Sequence, residues 1–295
     1  MRILCVHAHF DDFEFVAAGT FERWRRHYGK NLRTRVVVCT DGRSGHHSRT
    51  RTETAKIRLE EQEASARIGG YEFELLRKPS GKPFEEACRT LTNELLAALW
   101  KAIRDFEPDY LFCPPLPLDT LAGVHPDHVT VAEAIRRVAY MINVPHAFVE
   151  EYPVQDETHS RWIKTPVILN TYDGYMAGAN SFDLVVDVDD VFPIIAQESW
   201  CHQSQIREWL PWIGRHHMEP LTSLGEWSKS LRARFVRQAK ELDLSPVTKA
   251  CEVFTITAWG VVPTWKQLAM DFPNLVFDAE REERLRTKLK RWLGD

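Results

Sequence analysis

Arg35-Val36-Val37-Val38-Cys39-Thr40 is an almost continuous apolar run rich in β-branched residues. That is the pattern of a strand covered on both faces, which requires a sheet packed between two layers of helix. Working outward, residues 2–7 form another short apolar run, and residues 14–28 have helical spacing between the two. Residues 52–68 predict a charged amphipathic helix closed by Gly69-Gly70, a suitable C-cap. Residues 71–76 read as a third strand, 84–106 as a long helix, and 109–113 as a fourth strand stopped by Pro114-Pro115. A helix over 128–141 and a strand over 146–152 follow. The alternation predicts an α/β fold: a Rossmann-like, mainly parallel sheet with helices on both faces. The second half is more elaborate. Strands are expected at 167–171 and 184–188, and helices at about 190–209, 228–242 and 280–293. With no internal repeat and no linker, residues 1–295 read as one domain, its motifs within 2–255 and a C-terminal extension at 256–295.

The 295 residues can bury a sizeable core, and 38 basic against 42 acidic side chains leave a net charge of −4. Nucleic-acid binders usually carry a basic surplus, so nucleic acid is not an expected partner. No apolar run approaches the ~20 residues needed to span a bilayer, and the first residues are too short an apolar stretch for a signal peptide. A cytoplasmic location is expected. Cys5, Cys39 and Cys113 fall in strand-like runs, where a reduced thiol acts as a small hydrophobe. Arg232, Arg234, Arg237 and Lys240 on the 228–242 helix admit a phosphate-binding reading, but neighbouring glutamates favour a solvated face.

Two segments carry candidate chemistry. Ala8-His9-Phe10-Asp11-Asp12-Phe13-Glu14 follows the first strand, and Val124-His125-Pro126-Asp127-His128 follows the fourth. Both leave the carboxyl ends of strands, where open α/β sheets place their sites, so His9, Asp11, Asp12, His125, Asp127 and His128 can converge. Two imidazoles and a carboxylate make a catalytic zinc set with a position left for water. A further carboxylate can serve as base and a free histidine as acid. Taken singly, each segment is also an ordinary polar turn or helix start.

Together the segments make the sequence similar to the LmbE-like (PIG-L) zinc N-deacetylases. The family's Ala-His-Pro-Asp-Asp-x-Glu is matched at 8–14, with Phe10 in place of proline, and its His-Pro-Asp-His stands intact at 125–128. Weaker echoes are Ala18-Gly19-Thr20, Thr40-Asp41-Gly42, Arg58-Leu59-Glu60-Glu61, His202-Gln203-Ser204-Gln205 and Cys251-Glu252-Val253-Phe254. The resemblance implies His9, Asp12 and His128 as zinc ligands and Asp11 as the base acting on a zinc-activated water. It implies His125 as the acid or oxyanion partner, with Asp127 setting its protonation state, and Arg58 near the substrate's sugar. Two histidines and a carboxylate also suit Fe2+. Phe10 is expected to add an aromatic wall. Lys78-Pro79-Ser80-Gly81, where relatives carry an Asp-Gly, puts the substrate's identity in question.

The resulting expectation is a metal-dependent hydrolase that removes an N-acyl group, acetyl first, from an amino sugar such as N-acetylglucosamine or a glycoside. A homo-oligomer stays open. The alternatives are a non-haem Fe(II) oxygenase on the same triad and a non-catalytic small-molecule-binding protein. Arg58, the 42–51 loop and the 78–84 segment are expected to rim the pocket. His46-His47 and His216-His217 read as exposed loop residues, and Trp209 and Trp212 as the best sugar-stacking candidates.

Overall fold

The computed structural model describes the whole chain except residues 88–89, 155–160, 215–217, 245–248, 277 and 295. Seven strands form one sheet: β1 (Arg2–His7), β2 (Arg33–Val38), β3 (Glu72–Leu75), β4 (Tyr110–Cys113), β5 (Val167–Thr171), β6 (Leu184–Asp187) and β7 (Cys251–Ile256). Their order is β3-β2-β1-β4-β5-β7-β6. The first five run parallel, with Arg2 opposite Arg33 and Cys5 opposite Phe112, and β7 is antiparallel to both its neighbours. The fold class is therefore the expected α/β type, with one strand, β7, that the sequence pattern did not disclose.

Alternation within the strands explains the two layers. Cys5, Val36 and Val38 face a cluster with Phe13, Phe21 and Trp24, while Leu4, Val6 and Val37 face Leu99, Ile103 and Ile135. The first side is covered by α1 (Ala18–Tyr28), α2 (Arg51–Gly69), α5 (Phe192–Trp200) and α7 (Leu224–Glu241), and the second by α3 (Asn93–Phe106) and α4 (Pro126–Met141). Beyond them α6 (Leu210–Gly214), α8 (Trp265–Asp271) and α9 (Ala279–Leu293) complete the described helices. Leu268, Phe272, Leu285 and Leu289 of α8, α9 and their junction join the first cluster, so the C-terminal extension packs on the same layer. No described helix is long and apolar enough to cross a membrane.

Several boundaries differ from expectation for local reasons. The helix expected from residue 84 begins only at Asn93, where the Thr92 hydroxyl caps the Leu95 amide at 3.2 Å. Upstream, Phe84 is buried and its carbonyl accepts from the Asp41 amide, so that stretch is held against the sheet. No strand forms over 146–152. His146 has a positive φ of 60°, and Phe148 packs on Trp100. The helix expected over 190–209 breaks after Trp200 and resumes as a π-helical turn, Ser204–Trp209. α2 is as expected, with a reciprocal cap between Thr50 and Glu53 at its start and Gly70 in the left-handed region at its end.

Candidate metal centre and active site

The chain reverses its direction of sheet growth between β1 and β4, so their carboxyl ends flank a crevice. β1 runs directly into the 8–14 segment. After β4, His125 caps α4 with extended backbone, and Pro126 opens the helix with a φ already suited to it. Both expected segments therefore meet. His9, Asp11, Asp12, His125 and His128 line one pocket of about 430 Å³, and Asp127 lies fully buried behind His9.

Three donor atoms face one another at the base. His9 Nδ1 lies 3.2 Å from Asp12 Oδ2 and 3.2 Å from His128 Nε2, and His128 Nε2 lies 3.3 Å from Asp12 Oδ2. A tetrahedral ion with bonds of ~2.0–2.1 Å would hold its ligands roughly 3.3–3.4 Å apart, so the three sides of this triangle fit such an ion. Each imidazole is also backed by a carboxylate: His9 Nε2 meets Asp127 Oδ2 at 3.0 Å, and His128 Nδ1 meets Asp173 Oδ2 at 2.9 Å. Such partners fix the ring orientation and leave the inward nitrogen as a lone-pair donor. Two overlapping groups, His9/His125/His128 and His7/Asp12/His128, also bring their ligand atoms within 4.8 Å of one another. His7 Nδ1 approaches Asp12 Oδ2 at 2.7 Å. Burial alone would lower both inner histidines, but Asp12 with Asp127 raises His9 to about 9, and Asp12 with Asp173 raises His128 to about 10. The cluster is therefore a strongly negative cradle that holds protons where a cation fits.

Asp11 lines the same pocket but is not one of the three donors of this triangle. Its φ of 79° lies in the left-handed region, a conformation that non-glycine residues adopt at a cost of about 1–3 kcal/mol and that recurs at functional sites. The turn is held from behind. The Asp11 amide donates to Gln62 Oε1 at 3.2 Å, Gln62 Nε2 donates to Glu14, and Arg58 Nη2 donates to the Phe10 carbonyl at 2.8 Å. Burial raises the Asp11 carboxyl to about 6, against the opposing pull of Arg58 and His202. Arg58 reaches the pocket wall, yet its donors also face the Gly42 carbonyl, Glu86 and Asp11, so it is embedded in the loop it borders. Glu61 accepts from Ser204.

His125 is pushed down to about 4 by burial and by the neighbouring histidines, and so is neutral at pH 7. Its Nδ1 accepts from the backbone amide of Asp127 at 3.3 Å, which leaves Nε2 as the N–H donor. The Asp127 side chain, expected to set the protonation state of His125, hydrogen-bonds His9 and accepts from the Ala87 amide at 2.8 Å, and acts on His125 only through its charge, which opposes the downward shift. The contact with His9, 118 residues away in sequence, carries no local signal.

The rim also differs from expectation. Phe10 is fully buried behind the loop, where the ring packs against Gly42, and so forms no pocket wall. Residues 78–84 make a tight turn beside a separate cavity, and Glu86 is what reaches the pocket from that side. Among the described residues, none of the 42–51 loop lines the pocket. The His46 side chain is buried against Glu208 at 3.0 Å, and His47 stacks on Trp212. Trp209 does line the pocket, stacked on Trp212. His216 and His217 lie outside the described residues. The missing wall comes from the second half, from the loop after β5 (Tyr172–Ala177), the π-helical turn and α7. Asp173 belongs to that loop, and no signal near it in sequence marks it. Glu252, the late echo on β7, accepts from the Gly19 and Thr20 amides and so caps α1.

The profile of the family described as PIG-L, GlcNAc-PI de-N-acetylase, matches residues 4–139. No curated protein matches the chain. Among solved structures, the N,N'-diacetylchitobiose deacetylase of Pyrococcus horikoshii is similar, with 20% identity, 88% of this chain and 84% of that chain covered, and a TM-score of 0.65. The conserved protein TT1542 of Thermus thermophilus is 18% identical, with 89% and 97% covered and a TM-score of 0.60. GalB, the 4-carboxy-2-hydroxymuconate hydratase of Pseudomonas putida KT2440, is 15% identical, with 89% and 96% covered and a TM-score of 0.59. At these identities the structures establish a shared fold. The family match and the deacetylases among the neighbours together support a deacetylase. Residues 4–139, which carry both loops of the site, match the PIG-L family profile, so this part of the chain is similar to that family.

Proposed function

We propose that this protein removes an N-acyl group, acetyl being the first candidate, from an amino sugar or glycoside, using a divalent metal held by His9, Asp12 and His128. The observation that carries this reading is the triangle of His9 Nδ1, Asp12 Oδ2 and His128 Nε2, 3.2–3.3 Å on a side, with a further carboxylate on a strained turn beside it. Zinc is favoured by the ligand types, and Fe2+ suits them too. When bound, such an ion lowers the pKa of water and polarises a carbonyl.

The chain's own groups supply the rest. Asp11, poised near neutral pH, accepts the proton of the attacking water. His125, neutral with its donor on Nε2, gives a hydrogen bond to the oxygen of the carbonyl under attack as charge develops there. Asp127 and Asp173 hold the two imidazoles in the required tautomers. Arg58 keeps Asp11 placed through the Phe10 carbonyl and borders the substrate's path. An acetate-release screen of the zinc-loaded protein across N-acetylated sugars and glycosides tests the reading. Acetate from at least one, abolished in Asp11→Asn, is expected. No acetate from any, with zinc bound, would overturn it.

A further inference from the structure

The four basic residues of α7 have different fates. Arg232 turns outward to Asp189 at 2.6 Å, and Lys240 is exposed. Arg234 and Arg237, one turn apart, line the pocket over the candidate metal centre. The Arg234 guanidinium lies 4.3 Å from the centre of the Phe15 ring, itself part of the pocket wall. Among the described residues neither Arg234 nor Arg237 makes a hydrogen bond or ion pair. Most arginines elsewhere on this chain do: Arg23, Arg35, Arg43, Arg49 and Arg58 each face a carboxylate. The acid best placed on the same helix, Glu241, lines the pocket but is engaged by the Tyr172 hydroxyl at 2.6 Å and the Gly178 amide at 3.0 Å. Asp11 and Asp12 across the pocket are committed to Arg58 and to the histidines.

A guanidinium seated over an aromatic ring is held in place without using its N–H donors on a protein acceptor, and its planar fork can receive a carboxylate or phosphate in two-pronged fashion. Two like charges one turn apart on a partly enclosed wall, which feel the Asp11 charge across the pocket but have no carboxylate in direct contact among the described residues, leave their donors available to an anion from outside. We propose that Arg234 and Arg237 bind an anionic group, carboxylate or phosphate, carried by the substrate away from its amide. The substrate class would then be an N-acylated sugar bearing a negative charge, not a neutral one. The inference rests on the de-N-acylation reading of the same pocket, and it deepens that reading by naming what lies at the far end.

The test is equilibrium binding to zinc-loaded Asp11→Asn protein, chosen so that ligands are not turned over. The probes are N-acetylglucosamine, its 6-phosphate and N-acetylmuramic acid, which separate the neutral, phosphate and carboxylate cases. At least one anionic probe should bind about 10-fold or more tighter than the neutral sugar, since charge-assisted hydrogen bonds are the strong ones. That advantage should shrink in high salt and vanish in Arg234→Gln, which keeps the packing on Phe15. Arg237→Gln, on the exposed side of the pair, should reduce it, and Arg232→Gln should leave it unchanged. Equal affinity for all three probes, no detectable binding of any, or a preference that survives both Arg234→Gln and Arg237→Gln would overturn the proposal. Acetate release by the wild-type protein is scored separately, so an anion preference without acetate would discard the deacetylase reading alone.

Discussion

Metal uptake by this site should be coupled to proton release over an unusual pH range. In the metal-free protein His9 is raised to about 9 and His128 to about 10, because each sits between Asp12 in front and a second carboxylate behind. Both are then protonated at pH 7, and an ion must displace both protons to reach the ring nitrogens. Taken separately, that competition costs about two decades of affinity at His9 and about three at His128. Because the two imidazoles share the Asp12 carboxylate, about five decades is a ceiling. The sign is firm. Apparent affinity should rise with pH, and the rise should persist between about pH 7.5 and pH 8.5, where histidines with the ordinary pKa near 6.5 have already lost their protons. The assay is calorimetry of zinc binding in buffers of different ionisation enthalpy, which counts released protons, with chelator competition for affinity. Between one and about two protons per ion are expected near pH 8. Asp127→Asn and Asp173→Asn should each reduce that count, because each removes the carboxylate behind one ring. Release of almost none near pH 8 would refute the account of the cluster.

Other expectations follow from individual contacts. Asp11→Asn should keep its metal, since asparagine tolerates the left-handed backbone at this position, and should lose roughly 10²–10⁴-fold in kcat on the best N-acetylated sugar. Asp12→Asn should instead lose the metal, read by elemental analysis. Asp11 serves as base only when ionised, so kcat/KM should fall as pH drops through about 6, or lower once a bound cation favours the carboxylate. Glu252→Gln leaves the first turn of α1 with one acceptor where the carboxylate met the Gly19 amide, the Thr20 amide and the Thr20 hydroxyl, and should cost about 1–3 kcal/mol in denaturant unfolding. Gly42→Ala should lower both stability and kcat. Gly42 has a φ of +66°, and a Cβ there would lie 2.7 Å from the Phe10 ring behind the Asp11 turn.

What the sequence determined by itself were the features set by neighbours along the chain. Continuous apolar runs at 35–40 and 2–7 read as strands covered on both faces, and β2 and β1 are interior strands of the parallel part of the sheet. Gly69-Gly70 marked the end of α2, where Gly70 is left-handed, through a cap that operates within four residues. The meeting of the two motif loops was legible for the same reason, since each directly follows its strand. What only the tertiary structure decided depends on partners far apart in sequence. Asp173 reaches His128 because β5 lies beside β4, and Glu252 reaches α1 because β7 is inserted antiparallel between β5 and β6. The Asp127 carboxylate turned to His9, not His125, because the two loops bring His9 Nε2 within 3.0 Å of it. On α7 one face of a basic helix became two. Spacing fixes which residues share a face, but the packing of Trp227, Leu231 and Phe235 into the core aimed Arg234 and Arg237 at the pocket and left Arg232 to Asp189. Periodicity records how a segment turns, and the surface against which it settles decides which way its charges point.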